Sequence, residues 1–169
     1  MVSERKGFVN VNAWRDEVLL ADSLRIDGEI PLITTESQIL KKFGKPTKIN
    51  DVTSARKYLP YVDSRAATQE WEYGNTVFDL LDNKVILSVL DFESTDVELV
   101  SNQIVLKKGL HVEVFNKLFP ESYKLRIPTG GYKWSGHLDL RASHKGGDRR
   151  RWFLIFQQER LVRAYLLGF

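Results

Sequence analysis

Between Leu32 and Gly44 the apolar positions fall at helical spacing. Ile39, Leu40 and Phe43 make one stripe, and Thr35 stands where an N-cap belongs, with Gln38 three residues on. Gly44, followed by Pro46, ends the run, so the pattern predicts one short amphipathic helix. From Thr68 the period drops to two: Trp71 and Tyr73 alternate with Glu70 and Glu72 up to Gly74-Asn75, a tight-turn dipeptide. Thr76 to Leu81 and Lys84 to Phe92 flank a further two-residue turn at Asp82-Asn83. Three antiparallel strands are therefore expected after the helix.

The pattern then recurs. His111 to Phe119 is a second amphipathic stretch, with Val112, Val114, Phe115 and Phe119, closed by Pro120. Strands are predicted at Trp134 to Ala142, Arg149 to Gln157 and Arg160 to Leu167, with a loop at Ser143 to Asp148 and a turn at Gln158-Glu159. An ungapped shift that lays Ile39 on Phe115 also lays Phe43 on Phe119, Phe78 on Leu154, Leu80 on Phe156, Val85 on Leu161 and Leu90 on Leu166. The expectation is an α+β protein of two tandem units, each a short helix on an antiparallel meander, forming one curved sheet. Residues 1–31 are an N-terminal extension, 32–106 the first unit and 107–169 the second. In the extension, Trp14 to Ala21 has a helical look, and Ser23 to Ile30 reads as two short strands around Asp27-Gly28. Glu93 to Leu106 holds the matching place before the second helix and supplies a strand through Val105. No low-complexity linker separates the units, so they should pack together.

Alternation sorts the strand faces. Trp152, Leu154 and Phe156 share one face, joined by Val162, Ala164 and Leu166 of the next strand and by Ile86, Ser88 and Leu90 of the first unit. That face suits a helix. Leu161 falls on the opposite side by the same parity, as do Val85, Leu87, Val89 and Asp91. Also placed there, on three neighbouring strands, are His137, Arg141, Arg151, Phe153, Arg163 and Tyr165. Tyr, Trp and Arg are enriched where proteins recognise one another, which makes these six the candidate partner-binding residues. A mixed face is equally what a half-exposed sheet, or a contact between the two units, would carry.

Composition narrows the classes. The chain has 169 residues, 43% hydrophobic and 28% charged, with no apolar run near the ~18 residues of a spanning helix. Cysteine is absent, which excludes disulfides, thiolate catalysis and cysteine-zinc sites. Met1 to Asn12 has no apolar stretch of the kind a secretory signal needs, so a cytoplasmic location is expected if the chain is the whole product, and a periplasmic one if a signal was removed. The net charge of +3 is unevenly spread: residues 1–100 hold 12 Lys+Arg against 17 Asp+Glu, and residues 101–169 hold 13 against 5. The basic second unit favours an acidic partner.

A helix ending in Phe43-Gly44-Lys45-Pro46, followed by Trp71-Glu72-Tyr73 and Val77-Phe78, resembles the small α+β modules of outer-membrane assembly lipoproteins of the SmpA/OmlA type. Two such units in one chain are similar to the beta-lactamase inhibitory protein family, whose tandem modules form a curved sheet that grips an enzyme with its concave face. The resemblance covers about residues 32–169. It implies a non-catalytic protein-binding module, and relatives of this build without cysteine include toxin-neutralising immunity proteins. The chain departs from these families in lacking both the inhibitors' disulfides and the lipoproteins' lipidated cysteine, and Phe119-Pro120 replaces the Gly-Lys-Pro in the second unit.

Catalytic chemistry is poorly supplied. Ser135, His137 and Asp139 are the most suggestive set, but alternate residues on one strand lie roughly 7 Å apart, too far for a hydrogen-bonded triad. Ser143 is the other nucleophile considered. No two histidines sit at metal-ligand spacing, and no Gly-rich phosphate loop occurs. Arg149-Arg150-Arg151-Trp152 combines clustered cations with an aromatic, as nucleic-acid binders do, yet alternate arginines on a strand face opposite ways. The sequence therefore points to a binder of an acidic protein surface, of the immunity or inhibitor type, without enzyme activity, cofactor or metal. An envelope assembly or scaffold protein, and a nucleic-acid binder acting through the basic unit, are the alternatives.

Overall fold

In the computed structural model, which describes residues 16–51, 67–81, 83–131, 133–145 and 150–167, the first helix is α1 (Glu36–Phe43). Its start is fixed by Thr35, whose hydroxyl accepts the Gln38 amide at 3.4 Å, and its end by Gly44, which takes φ 75°. Leu32 to Thr34 are not helical, because Ile33–Thr34 form strand β3. Ahead of it, β1 (Arg25–Ile26) and β2 (Ile30–Pro31) make the expected hairpin, with Asp27 and Gly28 both at positive φ. After the helix come β4 (Lys48–Asp51), β5 (Ala67–Tyr73), β6 (Thr76–Leu81) and β7 (Lys84–Asp91). Then follow β8 (Leu99–Val100), β9 (Val105–Leu106), α2 (Glu113–Leu118), α3 (Pro120–Lys124), β10 (Ile127–Pro128), β11 (Gly136–Arg141), β12 (Arg151–Gln157) and β13 (Arg160–Leu167).

The protein is α+β, dominated by antiparallel sheet. Among the described residues the large sheet runs β10-β11-β12-β13-β7-β6-β5-β4, with β3 beside the other end of β7, and a small sheet runs β2-β1-β8-β9. Helix α1 is thus followed in sequence by β4 to β7, and α2–α3 by β10 to β13, and the two sets of strands meet where β13 pairs β7 antiparallel. Among the described residues one hydrophobic cluster gathers side chains from both sets of strands and from the helices. Ile39 of α1 and Phe115 of α2 are both fully buried in it, with Phe78, Leu154, Phe156 and Trp152, and the small sheet adds Ile26, Leu99 and Leu106. The cluster thus takes side chains from both sides of residue 106.

The second helical stretch ends before Pro120, as expected, with Phe119 as the cap of α2. Pro120 also opens a helix that was not expected, α3, where its fixed φ suits a first-turn position and its missing N–H is no loss. The amides that follow, of Glu121 and Ser122, donate to the Glu17 carboxylate at 2.8 and 2.7 Å. That carboxylate comes from the stretch expected to be helical, and over its described part no α-helix forms. Instead Val18 bridges Arg141, and the Leu19 and Ala21 amides donate to the carbonyls of Arg141 and Ala142. The strap is pinned by Trp152, whose indole N–H donates to the Leu19 carbonyl at 2.9 Å.

Strand parity holds in β11 and β12 and is interrupted in β7 and β13. Leu138, Leu140, Trp152, Leu154 and Phe156 face the core as their alternation requires. In β13, Phe156 pairs with Leu161 while Ile155 pairs with Arg163, so Val162 is an extra, bulged residue. Leu161 consequently turns inward and is buried, and Val162 does not join the core, the reverse of the expectation for both. In β7, Phe78 pairs with Leu87 and Val77 with Val89, leaving Ser88 as the extra residue; its hydroxyl donates to the Val77 carbonyl at 3.1 Å. Val85 and Leu87 therefore face the core before the bulge and Leu90 and Phe92 after it, while Ile86 and Val89 are buried outside the cluster.

Candidate functional site

All six candidate residues stand on the face of β11–β13 opposite the core. Each is half-buried, and none belongs to the hydrophobic cluster that the helices and the small sheet cover. Register brings them into cross-strand rows. His137 lies opposite Ile155 and Ile155 opposite Arg163; Asp139 lies opposite Phe153 and Phe153 opposite Tyr165; Arg141 lies opposite Arg151 and Arg151 opposite Leu167. The centre is aromatic. The His137 and Phe153 rings are 4.4 Å apart, and Phe153 meets Tyr165 edge-on at 6.0 Å.

Arg163 is held from two sides. Its Nη1 donates to the Tyr165 hydroxyl at 3.3 Å, and its Nε lies 3.7 Å from Asp91 Oδ1, across the β13–β7 pair. Asp91 is only 2% exposed. Burial alone would raise its carboxyl, but hydrogen bonds from Asn75, Ser94 and the Glu93 amide, with the Arg163 charge, outweigh it and hold the group below the ordinary range. Asp91 is thus a firm anion beneath the guanidinium. Sequence parity puts Asp91 on this face; that it meets Arg163 depends on which strands of the two halves pair, for which the sequence carries no local signal.

Asp139 behaves in the opposite way. Burial pushes its carboxyl up, offset only in part by the charges of Arg151, 3.9 Å away, and His137. Its Oδ1 is buried without a hydrogen-bond partner among the described residues. Ser135, His137 and Asp139 do not form a linked set: the Ser135 hydroxyl accepts the Gln158 amide at 2.8 Å, the His137 ring stacks on Phe153, and Asp139 sits by Arg151. Two cavities, of about 140 Å³ beside Asp22 and Arg150 and about 450 Å³ beside Glu17 and His144, border neither His137 nor Asp139. Among the described residues no group of three metal-ligating side chains gathers.

The arginine run is divided by the fold. Arg150 pairs with Asp22 at 3.3 Å, Arg151 faces outward near Asp139, and Trp152 is in the core; Arg149 lies outside the described residues. Cations and aromatic therefore do not share one surface. No helix among the described residues is long and apolar enough to cross a membrane. No protein family model matches the chain, nor does any curated protein or solved structure.

Proposed function

We propose that this chain is a non-catalytic protein-binding module of the immunity or inhibitor type, which covers an acidic surface of a partner enzyme or toxin with the outer face of β11–β13. The observation that supports it most is the pre-set Phe153–Tyr165–Arg163 group: two aromatics in edge contact beside a guanidinium already oriented by Tyr165 and Asp91. A side chain that is ordered before binding loses less entropy on binding, and aromatic–arginine groups are where binding energy concentrates. The reading takes the two helix-plus-meander sets as tandem units of the kind found in the beta-lactamase inhibitory protein family.

The test is capture from the source organism's lysate with wild type and with Phe153→Ala/Tyr165→Ala, followed by reconstitution with the purified partner. Each aromatic truncation should cost on the order of 2 kcal/mol of affinity, mostly through faster dissociation, with little change in melting temperature. Reversing Arg163 to Glu should instead slow association, most at low salt. Equal recovery by wild type and double variant would place the interface elsewhere. A catch removed by nuclease would replace this reading with nucleic-acid binding.

A further inference from the structure

Two carboxylates stand among the cations of the face of β11–β13 and its seam with β7, and their surroundings differ. Asp91 takes hydrogen bonds from the Asn75 side chain and the Glu93 amide, and the Arg163 guanidinium lies 3.7 Å away. Its charge is matched where it stands. Asp139 is flanked on β11 by His137 and Arg141, lies opposite Phe153 of β12 and beside Arg151, and is separated by that strand from Tyr165 and Arg163 of β13. On its other side β10 brings Ile127 and Pro128. Arg151 Nη1 is 3.9 Å from Asp139 Oδ2, beyond hydrogen-bond length, and Oδ1 is buried without a hydrogen-bond partner among the described residues.

An ionised carboxylate spreads its charge over both oxygens, so a buried oxygen with no donor weakens the charged form against the protonated one. Burial raises the Asp139 carboxyl in the same sense, offset only in part by Arg151 and His137. Covering the face adds to the imbalance. An acidic surface laid over β11–β13 removes water from Asp139 and sets like charge against it, an arrangement that works against binding. A proton on Asp139 removes that conflict and leaves the Arg151 charge, which Asp139 now offsets, to act on the partner.

We propose that Asp139 takes up a proton when this face closes on its acidic partner, so that the complex tightens as the medium becomes more acid. The inference rests on the reading of the face as the partner-binding surface and adds its regulation. Linkage fixes the form of the effect. The group is harder to ionise in the complex than in the free chain, so affinity is lowest where Asp139 is charged in both. It rises as pH falls from the midpoint of the complex to that of the free chain, and is level again below. Each pH unit between the two midpoints is about a tenfold gain. Asp91, already matched by donors and by Arg163, keeps its charge throughout.

The test has two arms. In the free chain the Asp139 carboxyl is followed by carbon-13 NMR against pH, its resonance assigned by loss in Asp139→Asn; the midpoint should lie above the ~3.9 of Asp in a short peptide. The protein captured and purified on the wild-type column is then the probe, its dissociation constant measured by calorimetry for wild type and Asp139→Asn from about pH 4 to about pH 8. Asn is neutral throughout, so the variant should bind about tenfold or more tightly than wild type near the alkaline end and equally well below the Asp139 midpoint. Groups that titrate alike in both chains drop out of the ratio. A free-chain midpoint at or below the peptide value, an affinity ratio constant with pH, or an Asp139→Asn chain that binds more weakly than wild type at neutral pH overturns the inference and leaves the reading of the face standing. A wild-type column that retains no protein through Phe153 and Tyr165 at any pH in that range overturns both.

Discussion

Truncating Trp152 tests the parity on which the placement of the candidate face depends. The side chain is 1% exposed, packs in the main cluster, and is the donor to the Leu19 carbonyl. Trp152→Ala should lose about 3–5 kcal/mol from transfer and cavity terms. The orphaned Leu19 carbonyl adds about 1–3 kcal/mol, since Ala leaves it buried without a donor. Trp152→Phe keeps most of the apolar contact and should show mainly the second cost. Against a total stability of about 5–15 kcal/mol for a domain, the Ala variant is close to unfolding and the Phe variant is not. Equilibrium urea unfolding separates them: with a slope of about 2 kcal/mol/M, the midpoint should fall by about 2 M or more for Ala and about 1 M for Phe. Limited proteolysis supplies the second readout, because loss of the indole donor should release the strap at Leu19–Ala21 in both variants. A Trp152→Ala protein that unfolds at the wild-type midpoint would turn Trp152 outward and Phe153 inward, and the candidate face would go with it.

Two further outcomes follow from close contacts and from charge. Gly136→Ala would place a Cβ 2.1 Å from the Ile127 carbonyl oxygen and 2.8 Å from the Trp134 ring, so β10 must detach from β11; a cost of about 1–3 kcal/mol should lower the melting temperature by several degrees. Asp91 and Asp139 should give opposite pH dependences. Because the folded Asp91 carboxyl lies below its unfolded value, its contribution is present above the unfolded pKa and lost as pH falls through the folded one, so Asp91→Asn should destabilise at neutral pH and flatten the acid limb of a stability–pH curve. Asp139, raised in the fold, gains stability as pH falls through its pKa, so Asp139→Asn should stabilise at neutral pH, the difference vanishing in acid. Equal pH profiles for the two variants would contradict the assigned environments.

Elements set by local chemistry were legible in the sequence. Thr35 with Gln38, Gly44, Asp27-Gly28 and Gln158-Glu159 each fix a backbone geometry on their own, and each turn or cap is where its residues demand. The bulges were not legible, because a bulge needs no glycine and Ser88 and Val162 look like ordinary strand residues. Their effect is large, since one extra residue reverses every later side chain, which is why Leu161 and Val162 exchange places. Pro120 was read only in part: it ends α2 as expected, and a proline that ends one helix serves equally as the first residue of the next, which is how α3 escaped notice. The strap failed to read because its order comes from partners far away in sequence, Glu17 on α3 and Leu19 on Trp152.

The same bulges explain why the face is where it is. Were β13 regular through Val162, Leu161 would be in phase with Arg163 and Tyr165 on the outer face, and the β13 end next to α2 would lose an inward side chain. Were β7 regular through Ser88, Val89 and Asp91 would share the side of Val85 and Leu87, placing a carboxylate in the hydrophobic cluster. The bulge instead delivers Asp91 to the outer face, beside Arg163, at the pair of strands where the two halves of the sheet join. That ion pair is therefore a product of backbone register, and it couples the orientation of Arg163 to the integrity of the β7–β13 seam. A substitution that loosens the seam should reach the candidate face through Arg163 before it reaches the core, and changes in affinity for the proposed partner should precede any change in melting temperature.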